Sequence, residues 1–180
     1  MQHTRRLRPK FQLRQALPFS GFRNNRGGRY EASLFVFYLF DWMKEHVGAT
    51  SDGRLAGTPL SRGMNPSDIS GISNAANILH TLQKIDMTDY PGAGVLYLEM
   101  PLMKSEPGSQ YLIRTMKAFL EAGGSALDLN LLDPQVLVQA RKNPDAYKNI
   151  VVRVCGFSAY FTSLDSQIQD EIIGRTFVNG

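Results

Sequence analysis

Strand-like and helix-like apolar periods alternate along the chain, and glycine or proline separates most of them. That alternation is the strongest constraint on the fold, because it calls for helices packed against strands rather than an all-helical or all-strand domain. Val95 to Leu98 reads as a short buried strand. Ser109 can cap a helix from Gln110 to Ala122, with Leu112, Ile113, Met116, Phe119 and Leu120 toward the core. Gly123-Gly124 ends it, as helix C-termini favour. Leu127, Leu129 and Leu131 alternate with Asp128 and Asn130, the period of a half-buried strand. Asp133-Pro134 is a cap followed by proline at the first helical position, and Asn143-Pro144 stops that helix. Ile150 to Val154 and Ser158 to Phe161 read as extended. Leu164, Ile168, Ile172 and Ile173 mark a short last helix ending near Gly174. Earlier in the chain, Leu34 to Tyr38 predicts a buried strand. Ser51 to Pro66 must be an irregular loop, since Gly53, Gly57, Pro59, Gly63 and Pro66 interrupt it. Ser70 to Ile85 predicts a helix with Ile72, Ala75, Ala76, Leu79 and Leu82 on one face. The class is mixed α/β.

At 180 residues this is one domain's worth of chain. The net charge of +4 is unevenly placed. Arg5, Arg6, Arg8, Lys10, Arg14, Arg23, Arg26 and Arg29 fall in the first thirty residues without one acid, and acids outnumber bases after them. Residues 1–25 are thus a basic segment whose readings are a loosely packed end, a targeting peptide or a nucleic-acid arm; the first is favoured, as for most termini. No apolar run reaches the length of a membrane-spanning helix; the run from Leu34 stops at Asp41. A single cysteine, Cys155, excludes an internal disulfide, a zinc ribbon and a cysteine-bound iron–sulfur cluster, and fits a reducing, cytoplasmic setting. His3, His46 and His80 lack metal-ligand spacing. Phosphate loops, dinucleotide loops and nucleophile elbows are absent, so ordinary kinase, dehydrogenase and hydrolase chemistries fail.

What remains is Gly156, set within the apolar stretch Val151-Val152-Arg153-Val154-Cys155-Gly156-Phe157-Ser158-Ala159-Tyr160-Phe161. A glycine inside a strand weakens it and marks a bulge, a bend or a close approach of backbones. Arg153-Val154-Cys155-Gly156-Phe157-Ser158-Ala159 resembles the radical-bearing motif of the glycyl radical enzymes, the family of pyruvate formate-lyase, glycerol dehydratase and choline trimethylamine-lyase. Gln169-Asp170-Glu171-Ile172-Ile173-Gly174-Arg175-Thr176 resembles the terminal helix of that family. Asp52-Gly53-Arg54, Ala56-Gly57 and Pro59-Leu60 resemble an upstream segment. Asp128 stands where relatives commonly have glutamine.

The resemblance implies the C-terminal portion of an α/β barrel, carrying the glycine-radical loop and a terminal helix. Residues 26–122 would be barrel and 123–180 the glycine radical domain. It implies a radical at Gly156, supported by Arg153, Phe157 and Ser158, for a lyase or dehydratase reaction. A separate radical-SAM activase would install the radical, with no metal and no bound cofactor in this chain. Arg153 would pin the loop through a carboxylate or carbonyl, or would be a simple strand-edge arginine. Asp52, Arg54 and Ser61 would line a site or simply form a surface loop. The family's thiyl cysteine loop has no counterpart here. Cys155 is read as a packing residue, since free cysteine is mostly a small hydrophobe. The chain is therefore expected to be a truncated or split enzyme that needs its missing portion or self-association. The alternatives are a stand-alone radical-bearing repair subunit and a catalytically dead binding module. No membrane or nucleic-acid partner is expected.

Overall fold

The computed structural model describes residues 21–35, 43–67, 74–101 and 105–174. Among the described residues no helix is long and apolar enough to cross a membrane. The basic residues before position 21 lie outside them, as do most of the expected strand after Leu34 and the start of the helix expected from Ser70.

Helix α1 spans Ala75–Leu82. Asn74 caps it, its side chain accepting from the N–H groups of Ala76 and Asn77. Its inner face is Ala75, Ile78, Leu79 and Leu82, whereas Ala76 is exposed. Strand β1 spans Val95–Met100 and is buried along its whole length. Helix α2, Glu106–Glu121, returns the chain to β2, Ala126–Leu131, which pairs parallel with β1 from Val95↔Ala126 to Met100↔Leu131. A parallel pair needs such a crossover.

Two expectations for α2 are corrected. The cap is Ser105, accepting from the Gly108 N–H, and not Ser109; Pro107 sits in the first turn, where its missing N–H is harmless. The stripe is also narrower than its apolar residues suggest. Phe119 is buried and Leu112 packs on the core, while Ile113, Met116 and Leu120 are exposed. Gly124 packs so closely on the Phe119 ring that a Cβ there would strike it.

The first core gathers Met64, Ile78, Leu79, Leu82, Leu96, Leu98, Met100 and Phe119. Each fully buried side chain of this size contributes about 1.5–3 kcal/mol. The irregular loop before α1 closes the free edge of β1. Met64 N–H donates to the Val95 carbonyl, and the Asn65 amide pairs with both backbone groups of Tyr97 at 2.6 and 2.9 Å. Leu34 forms an isolated parallel bridge with Gly94 beside it.

A second unit follows. Helix α3, Pro134–Lys142, starts at Asp133, whose carboxylate accepts from Gln135 N–H, and ends at Asn143. Strands β3, Val151–Arg153, and β4, Ser158–Tyr160, form an antiparallel hairpin. Helix α4 spans Ser166–Ile173. Leu137, Ala140, Val152, Val154, Cys155, Phe161 and Ile172 make a separate core. Gln169, buried on α4, donates to the carbonyls of Phe161 and Leu164 and ties the helix to the end of the hairpin.

Candidate functional site

Gly156 does not interrupt a strand; it sits at the tip of the β3–β4 hairpin. Val154 N–H donates to the Phe157 carbonyl at 2.9 Å and closes the tip, leaving Cys155 and Gly156 to make the reversal. The φ of Gly156 is +83°, in the left-handed region that favours glycine. A Cβ built there would meet only the Phe35 ring, at an ordinary 3.9 Å. The structural demand for glycine therefore comes from the backbone angle rather than from crowding.

The turn follows from the residues beside it. Val152, Val154 and Cys155 bury into the second core, while Gly156, Phe157 and Ser158 are exposed. Cys155 is 4% exposed among Leu137, Ala140, Phe161 and Ile172. It sits in the hairpin tip rather than in a strand, packed as expected of a small apolar residue.

Behind the hairpin stands the polar face of β2. The sequence alternation suggests that this face meets water; instead Asn130 is buried and Asp128 mostly so. Asn130 Oδ1 accepts from Arg153 N–H at 2.7 Å, and Asn130 Nδ2 donates to the Arg153 carbonyl at 3.0 Å. The Asp128 carboxylate divides its two oxygens. Oδ1 accepts from Arg153 Nη2 at 3.0 Å, and Oδ2 accepts from the Gly156 N–H at 3.1 Å. Arg153 Nη1 donates to Ser158 Oγ at 3.3 Å. Asp128, Arg153, Gly156 and Ser158 thus form one hydrogen-bonded chain. Of the residues singled out from the sequence, Gly156, Arg153 and Ser158 come together in it, and Phe157 projects outward, about half exposed.

Asp128 and Asn130 were not expected to belong to the site. Their signal is two polar residues at alternate positions of a strand with another element on that side. Period alone does not say whether the polar face meets water or a hairpin. Asp52, Arg54 and Ser61 gather no comparable site. The Arg54 guanidinium is buried and donates to the carbonyls of Val47, Gly48, Leu55 and Thr58, so it organises its own loop. Asp52 is held below the usual carboxylate range chiefly by the Thr50 hydroxyl. Ser61 lines a cavity of about 420 Å³ with Met64, Ile78 and Leu82, to which no hairpin residue contributes. No cluster able to hold a metal occurs among the described residues.

Residues 60–162 match the Glycine radical family, and the chain belongs to that family, the glycyl radical enzymes. Over 151 residues it is 30% identical to the trans-4-hydroxy-L-proline dehydratase of Clostridioides difficile, covering 83% of this chain and 19% of that one. It is 34% identical over 134 residues to the 4-hydroxyphenylacetate decarboxylase glycyl radical subunit of Clostridioides difficile (strain 630), covering 73% of this chain and 15% of that one. Among solved structures, the glycerol-bound B12-independent glycerol dehydratase from Clostridium butyricum superposes with a TM-score of 0.85 at 29% identity, over 93% of this chain and 22% of that one. The chain spans about a fifth of the length of these relatives.

Proposed function

We propose that this chain stores an organic radical on the α-carbon of Gly156 for a lyase or dehydratase reaction. The observation that carries the reading is a left-handed glycine at an exposed hairpin tip, its N–H donating to the Asp128 carboxylate that also accepts from the Arg153 guanidinium.

The chemistry selects that residue. Removing one hydrogen atom from the α-carbon leaves an unpaired electron that spreads into both neighbouring peptides once the carbon is planar. Conjugation with the preceding amide requires φ near 180°, so the backbone must turn from +83°. Glycine can make that passage because it has no Cβ to clash on the way. The hydrogen atom goes to a carbon radical supplied by a radical-SAM activase, which keeps its own metal cluster outside this chain. The stored radical then takes a hydrogen atom back from a cysteine thiol, leaving the sulfur radical that attacks substrate. That thiol comes from protein beyond these 180 residues. Cys155 is a poor candidate because its side chain, although it belongs to the tip, is buried in the second core among Leu137, Ala140, Phe161 and Ile172. The exposed apolar rim of the hairpin, Val151, Phe157 and Tyr160, supports seating of the tip against a further protein body. Arg153 and Ser158 keep the hairpin in register on β2.

The test is anaerobic activation with a radical-SAM activase, read by electron paramagnetic resonance. The expected signal is a doublet, because one α-hydrogen remains and couples to the spin. Gly156→Ala should abolish it. A doublet that survives the substitution, or no signal with an activase proven on a relative, defeats the assignment.

A further inference from the structure

The bond between Asp128 and Gly156 joins β2 to the tip of a hairpin whose base Asn130 already ties to the same strand. Asp128 lies on β2, whose backbone is set by its pairing with β1. Gly156 lies at the tip of a hairpin packed in the other core. The Asp128 side chain is 14% exposed, so its bonds form with little competing water. A carboxylate has two equivalent acceptor oxygens, and here one takes the Gly156 amide while the other takes the Arg153 guanidinium. A side-chain amide has an NH2 donor in place of the second oxygen, so it could not present a separate acceptor oxygen to each of these two donors.

We infer that Asp128 is a positioning residue that latches the hairpin tip to β2 and governs how readily the α-carbon of Gly156 flattens or leaves its seat. The inference rests on reading Gly156 as the radical carrier. Planarity requires the peptide before Gly156 and the substituents of its α-carbon to turn relative to each other. A peptide plane tied to the sheet by a charged acceptor resists that turn. The Arg153 guanidinium fixes the carboxylate in the orientation that reaches the amide, and the Asn130 amide fixes the backbone of Arg153. The latch therefore has a rigid base and a single point of release.

Hydrogen–deuterium exchange on the full, unactivated chain tests the latch, with overlapping peptides separating residues 151–153 from 155–158. In Asp128→Ala the 155–158 segment should exchange about tenfold faster, the loss expected for a charge-assisted bond, while 151–153 stays within about twofold of the parent. Asp128→Asn keeps an acceptor for the amide and should recover most of the protection, and it serves if the alanine variant does not fold. After activation, radical formation and decay in Asp128→Ala should both be several-fold faster, with Asp128→Asn between the two. Unchanged exchange in Asp128→Ala overturns the latch, and so does a rise spread evenly over 151–160, which would mean general loosening. Faster exchange with unchanged radical kinetics overturns its control of the α-carbon. The exchange arm needs no radical, so a parent chain that never gives a doublet defeats the proposed function while the latch is still judged.

Discussion

Replacing Asn130 by alanine removes the side chain that joins β2 to the backbone of β3. Two hydrogen bonds are lost, each with a net value of about 0.5–1.5 kcal/mol, and the Arg153 N–H and carbonyl lose their partner. Asn130 is 6% exposed, so water reaches the vacated space poorly and an orphaned group there costs about 1–3 kcal/mol. Partial relaxation of the hairpin offsets some of this, and the expected loss is about 3 kcal/mol. Urea denaturation followed by circular dichroism is the assay. With a slope of about 2 kcal/mol per molar, the midpoint should fall by about 1.5 M with the slope unchanged. Asn130→Asp keeps an acceptor for the Arg153 N–H but sets its other oxygen against the Arg153 carbonyl, so it should be destabilised at least as much. A midpoint shift below about 0.5 M for the alanine variant would refute the reasoning, because two buried bonds cannot be worth so little.

Air exposure of activated protein should cut the chain at Gly156, since dioxygen adds to a backbone carbon radical and the peroxyl product breaks there; mass spectrometry should find fragments ending near Cys155 and beginning near Phe157, and only in activated samples. Cys155→Ala should cleave equally and lose about 1 kcal/mol or less of stability, as removing one buried sulfur leaves a small void; slower cleavage would mean that the thiol exchanges hydrogen with Gly156. Burial, with a smaller contribution from Asp89, raises the Tyr90 phenol above its ordinary 10.0. The neutral phenol is therefore favoured in the folded state, and its stabilisation is complete below pH 10 and lost as pH climbs through the raised value. Ultraviolet titration should show a late-titrating component that Tyr90→Phe reduces.

The parts of the fold legible in the sequence are those where one residue type fixes a local backbone choice. Asp133 before Pro134 starts α3, and Asn143 before Pro144 stops it. Gly123, with a φ of +82°, follows α2 as its chemistry demands. The start of α2 was hidden because Pro107 and Gly108 look like breakers, although the first turn tolerates both. Gly156 and Arg153 were legible as a motif, and a bend was among the readings of that glycine, but nothing local chose it over a bulge, because the apolar run continues across the reversal between Val154 and Phe157. Asp128 and Asn130 were misplaced for a different reason. Their burial depends on a hairpin more than twenty residues later, and nothing local records that.

Asn65 and Asn130 act alike in two unrelated places. Each turns its amide to the outer edge of a strand and meets one residue's N–H and carbonyl together, Tyr97 on β1 and Arg153 on β3. A side-chain amide imitates a single peptide unit, so it occupies one rung of a ladder and offers no second rung beyond it. Exposed strand edges recruit foreign strands. These two edges are instead stoppered by short plugs that cannot pass the pairing on. A stray β-segment would have to evict a bidentate amide before it could register against either strand. The two two-stranded sheets among the described residues thereby present neither of those rungs as a template for growth.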